Sequence, residues 1–77
     1  MIKVKVHLFF KKYVGNDGVV ELEGPFCDDF DVEKLIEKLG IPKEEVGMVI
    51  INGKWQDFKS RLSDGDSIEI FPQYLGG

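Results

Sequence analysis

The first ten residues, MIKVKVHLFF, carry an apolar side chain at every even position: Ile2, Val4, Val6, Leu8 and Phe10. Lys3, Lys5, His7 and Phe9 fall between them. A two-residue apolar period turns one face of a strand to a core and the other to solvent, so the chain has to fold around a sheet with one covered face. The cover is visible further along. From Asp31 the period lengthens: Val32, Leu35, Ile36 and Leu39 fall at i, i+3, i+4 and i+7, with Glu33, Lys34, Glu37 and Lys38 on the other side. That spacing predicts one amphipathic helix whose charged face is solvated. Asp31 is placed to cap it, Glu33 and Lys38 suit its two ends, and Gly40 stands where a left-handed terminating residue is expected.

The remaining segments read as strands and turns. Gly15-Asn16-Asp17-Gly18 allows a reversal into a second strand, Val19 to Glu23, which Gly24-Pro25 stops. After the helix, Ile41-Pro42 breaks the pattern and Lys43 to Val46 adds a short turn. Met48 to Ile51 is an apolar run closed by Asn52-Gly53, a strong hairpin signal, and Lys54 to Gln56 makes a short fourth strand. Ser63-Asp64-Gly65-Asp66 turns the chain into Ser67 to Phe71, where Ile68 and Ile70 face one way and Glu69 and Phe71 the other. The order of elements predicts an α+β domain, a β-grasp in which a small mixed sheet packs on one main helix. The first and last strands are expected side by side at the sheet centre. Residues 1–77 form one domain in this reading, with 73–77 as a flexible C-terminal tail.

Composition narrows the function. A chain of 77 residues with 43% hydrophobic and 31% charged side chains has room for one modest core and the balance of a folded domain. No apolar run approaches the roughly 20 residues of a membrane span, and the alternating N-terminus is no signal-peptide block, so a cytoplasmic protein without a membrane partner is expected. The lone cysteine, Cys27, excludes an internal disulfide and a cysteine-built metal module. A formal charge of −4 speaks against nucleic acid as a partner. Neither a resident metal nor a bound cofactor is expected.

The chain closes with Phe71-Pro72-Gln73-Tyr74-Leu75-Gly76-Gly77. Two glycines pack nothing, but residues without Cβ can follow a narrow channel that others cannot, which suits a terminal carbonyl entering another protein's active site. Pro72 would fix the direction in which such a stalk leaves the sheet. Phe9 and Phe71 break the polar faces of two strands expected to be neighbours. They read either as a cross-strand pair or, favoured because the surface leads to the tail, as a docking patch that Tyr74 and Leu75 extend. His7 lacks a nucleophile partner in the sequence and reads as a solvated strand residue. Cys27, beside Asp28, Asp29 and Asp31, reads as an incidental loop cysteine, and the aspartates as a solvated helix start rather than a metal cluster. Trp55 reads as a cap on one edge of the core.

The stretch VIINGKWQDFKSRLSDGDSIEIFPQYLGG, Val49 to Gly77, resembles the C-terminal half of the ubiquitin-like sulfur carriers. These include the small subunit of molybdopterin synthase and the carrier of thiamine thiazole synthesis. The resemblance rests on the Asn-Gly hairpin, the Asp-Gly-Asp turn, the apolar end of the last strand and the terminal Gly-Gly; the order of elements extends it over nearly the whole chain. It implies a carrier and not an enzyme, with no catalytic residue of its own. A partner adenylyltransferase resembling ubiquitin-activating enzymes would use ATP to adenylate the Gly77 carboxylate, and a sulfur donor would convert the acyl-adenylate into a thiocarboxylate. Gly76, Leu75 and Tyr74 would form the inserted tail, and Phe9, Phe71 and Pro72 the partner-binding surface. A sulfur-accepting synthase, of which this chain could form the small subunit, would take the sulfur, in molybdopterin rather than thiamine synthesis; the free chain would be a monomer. Two alternatives stay open: a ubiquitin-like modifier joined to lysines through Gly77, and an interaction module with an inert tail.

Overall fold

The computed structural model describes residues 1–15 and 17–73, without the side chain of Phe9. Strand β1 (Ile2–Val6) keeps the expected alternation, with Ile2, Val4 and Val6 buried and Lys3 and Lys5 exposed. It pairs antiparallel with β2 (Val19–Leu22), Val4 opposite Val20. Strand β3 (Val46–Ile51) turns through Asn52-Gly53 into β4 (Lys54–Gln56). The turn residues have φ of 52° and 84°, the doubly left-handed pair that a two-residue hairpin requires. Strand β5 (Ser67–Pro72) lies parallel to β1 and antiparallel to β3. The order β2-β1-β5-β3-β4 sets the first and last strands together at the centre, as the sequence predicts.

The strand does not run on to Phe10. β1 stops at Val6, Leu8 takes a φ of 57°, Leu8–Phe10 winds into a 3-10 turn, and Lys11–Val14 forms a short helix, α1. A left-handed bulky residue is uncommon, and here it leaves Leu8 53% exposed. What the turn gains is burial of Phe10, which is fully enclosed, its ring 6.0 Å from that of Tyr13. The apolar period continues through position 10 because Phe10 is a core residue, reached by a turn instead of by a strand.

The second helix, α2 (Val32–Leu39), covers the inner face. Its first four N–H groups all have partners: Val32 donates to the Ser60 carbonyl and Glu33 to that of Phe58, Lys34 to Asp31 Oδ1 at 2.9 Å, and Leu35 to the Asp31 carbonyl. Asp31 is the predicted cap, and Gly40 ends the helix with φ 79°. Val32, Leu35 and Ile36 join Ile2, Val4, Val6, Phe10, Val49, Ile51, Ile68 and Ile70 in one buried cluster, completed by Ile41, Val46 and Leu62. Each such aliphatic side chain contributes about 1.5–3 kcal/mol by leaving water.

The start of β5 is held by side chains. Asn52 Nδ2 donates to Asp66 Oδ1 at 3.0 Å, Asn52 Oδ1 accepts from the Ser67 N–H at 3.0 Å, and Asp66 Oδ2 accepts from the Ser63 N–H at 2.8 Å. Asn52 therefore shapes its own hairpin and ties it to the Asp64-Gly65-Asp66 turn.

Candidate docking face and tail root

The outer face of the sheet is built by register. One row crosses four strands through Lys5, Glu69, Ile50 and Trp55; the next, closer to the tail, pairs Phe71 with Met48. His7 lies just beyond β1, and its ring stacks on Phe71 with centroids 4.1 Å apart and planes 4° from parallel. His7 Nε2 is 3.0 Å from Glu69 Oε1. The predicted solvated histidine is thus engaged on two sides, and it backs one face of the Phe71 ring.

β1 ends before Phe9, whose backbone belongs to the 3-10 turn, so Phe9 is not a strand neighbour of Phe71, and it is His7 that stacks on Phe71. The side chain of Phe9 lies outside the described residues. Trp55 also departs from expectation: it is 74% exposed and caps no core. β4 is a three-residue edge strand, and Trp55 pairs with Ile50, whose side of β3 faces away from α2. Indole, Met48 and Gly47 together border two adjacent hollows. One is completed by Phe71, Pro72 and Gln73, the other by Val49, Gln56, Asp57 and Phe58. Met48, Ile50, Trp55 and Phe71 therefore make an apolar area that runs up to the point where the chain leaves the sheet, a surface of the kind that binds partners.

At that point Pro72 is buried and paired with Val46, so it directs the chain from within the sheet and presents little surface to a partner. Gln73 follows, exposed, its N–H donating to the Glu45 carbonyl at 2.7 Å. Tyr74, Leu75, Gly76 and Gly77 lie outside the described residues.

The other candidates are structural. Cys27 is exposed in its loop. Asp31 caps α2, and Asp29 Oδ2 lies 3.5 Å from Lys34 Nζ. Among the described residues no group of three or more His, Cys, Asp or Glu side chains is placed to hold a metal. No helix among them is long and apolar enough to cross a membrane. Lys43 donates to Glu33 Oε2 at 2.7 Å, and this hydrogen bond, with the carboxylate's charge, raises its ammonium above the usual lysine value of 10.5. Sequence reasoning missed Gly47 and Met48. The available signal was a glycine inside an apolar strand run, which marks a bulge or a close backbone approach.

A family model described as Mut7-C ubiquitin matches residues 2–75. No curated protein matches the sequence. Among solved structures, the chain is similar to a putative molybdopterin converting factor, subunit 1, from Pyrococcus furiosus. The two are 26% identical, with a TM-score of 0.70 over 95% of this chain and 97% of that one. SAMP1 from Haloferax volcanii superposes with a TM-score of 0.71 at 18% identity, covering 99% of this chain and 98% of that one. The solution structure of the Haloferax volcanii HVO 2177 protein gives 0.63 at 24% identity, over 99% and 85%. These last two share the fold with this chain.

Proposed function

The chain belongs to the Mut7-C ubiquitin family, and we propose that it is a sulfur carrier whose Gly77 carboxylate is activated by a partner and loaded as a thiocarboxylate. One observation carries this reading: the β-grasp matches the molybdopterin converting factor subunit over nearly the full length of both chains at 26% identity. The apolar outer face that leads to Gln73 adds to it, because a tail offered to an active site needs a docking surface at its root.

The chemistry follows from what a carboxylate lacks. Attack of a Gly77 oxygen on the α-phosphorus of ATP, in the partner's site, forms an acyl-adenylate and releases pyrophosphate. The carbonyl then carries a good leaving group, so a sulfide-level donor adds to it and AMP departs, leaving the thiocarboxylate. This chain's part is to dock through Phe71, Met48, Ile50 and Trp55, to keep the Phe71 ring in place against His7, and to deliver the tail. The accepting synthase works in molybdopterin rather than thiamine synthesis, in line with the name of the 26% identical structure, and the setting is cytoplasmic.

A second reading, conjugation of Gly77 to lysines of other proteins, draws on the ubiquitin designation of the family and shares the adenylation step. Intact-mass measurement after incubation with an adenylyltransferase, ATP and a sulfur donor separates the two. Replacement of one oxygen by sulfur at Gly77 is the expected result. Failure of every candidate adenylyltransferase to form an adenylate would remove the carrier reading, and lysine-linked Gly-Gly remnants without thiocarboxylate would replace it by the modifier.

A further inference from the structure

Gln73 lies against Gly47. β3 and β5 pair in register from Ile51 to Met48 and then slip: Met48 faces Phe71, Val46 faces Pro72, and Gly47 is the extra residue of a bulge. Gly47 is not among the glycines with positive φ, so its backbone makes no demand for glycine. The demand is steric. A Cβ there would lie 2.6 Å from Gln73 Cα and 3.0 Å from both Gln73 N and Pro72 O. Those are backbone atoms of the outgoing chain and cannot rotate aside. Next to them, the Gln73 N–H is bonded to the Glu45 carbonyl at 2.7 Å, one residue before β3 begins. Gly47 is itself exposed, so the close approach serves the direction of the chain and not the core.

We propose that Gly47, with the Glu45 carbonyl, is a positioning residue that aims the tail while the outer face is docked. The inference rests on the reading that Gly77 is the reacting terminus. Four extended residues beyond Gln73 reach at most about 14 Å, so a modest swing at Gln73 moves the far carboxylate by several ångströms. Misplacement by about 1 Å can already cost a hundredfold in rate. Docking and aiming are therefore separable: Phe71 serves the first and Gly47 the second.

The test is adenylation kinetics, read as ATP-dependent pyrophosphate exchange with an adenylyltransferase that accepts the wild-type chain, together with amide hydrogen exchange. In Gly47→Ala the Ile70 amide should stay protected while Gln73 loses protection. The kcat should fall about tenfold or more with KM for the carrier within about twofold. Phe71→Ala should do the reverse, raising KM. If Gly47→Ala does not fold, Gln73→Pro deletes the N–H donor at an exposed position and should give the same loss of kcat. Unchanged kcat in the variant that folds, or a rise confined to KM, would overturn the inference. A wild-type chain that no adenylyltransferase accepts shows itself differently, as absent turnover, and overturns the functional reading together with the inference built on it.

Discussion

The two ends of β5 are held by different means. At its start, Asn52, Ser63 and Asp66 join Ser67 in a set of side-chain hydrogen bonds, and the Lys3 N–H donates to the Asp66 carbonyl. At its finish there is a bulge, a close backbone approach at Gly47 and one backbone hydrogen bond from Gln73, while the outer side chains are apolar and partly uncovered. Directional polar bonds set the register at the start, because a slip of one residue would exchange the inner and outer faces. With register fixed there, the finish can carry surface that the fold does not need.

The largest effect is expected from the inner face that both ends share. Ile70→Ala should destabilise by about 2–5 kcal/mol in chemical denaturation; a loss below about 1 kcal/mol would show that the sheet does not hang on this strand. Asp66→Ala, which takes the acceptor from Asn52 Nδ2 and from the Ser63 N–H, should cost about 1–2 kcal/mol by thermal unfolding. Phe71→Ala should cost only about 0.2–1 kcal/mol, while raising the partner's KM about tenfold. If it cost more stability than Asp66→Ala, the two ends would be alike and the comparison would fail. The smallest effect belongs to Lys43, whose turn leads into Glu45. Its folded pKa is raised, so its contribution is fully present below the ordinary 10.5 and fades as pH climbs through the higher folded value. Titration of its Cε by NMR should therefore shift downward in Glu33→Gln, and an unchanged midpoint would break the assigned pair.

Most of the fold was readable because the decisive signals were local. The two-residue period as far as Val6, the helical period, the Asp31 and Gly40 caps and the Asn52-Gly53 turn each depend on a few adjacent residues, and each stands as predicted. What escaped depended on distant parts of the chain. Nothing within MIKVKVHLFF reveals that Leu8 turns left-handed, since Phe10 keeps the period that a strand would have. Burial of Leu62 follows from a loop crossing the start of α2, where its N–H donates to the Phe30 carbonyl. Trp55 reads in the sequence as a cap on the edge of the core because it is large and apolar, but its exposure is decided by β4 being an edge. At the site, Phe71 was legible as an outward break in a strand. The role of Gly47 was not, because its constraint comes from residues 72 and 73 across the sheet.

The central place of β5 also bears on synthesis. Without Ser67–Pro72 the sheet separates into two hairpins, β2-β1 and β3-β4, that share no ladder. Isolated hairpins are marginal in water, so a nascent chain has no finished sheet until its last strand has left the ribosome. That strand leads directly into the tail. Topology thus ties the docking face to the joining of the two hairpins: Phe71, on β5, meets Met48, on β3, only once that strand is in place.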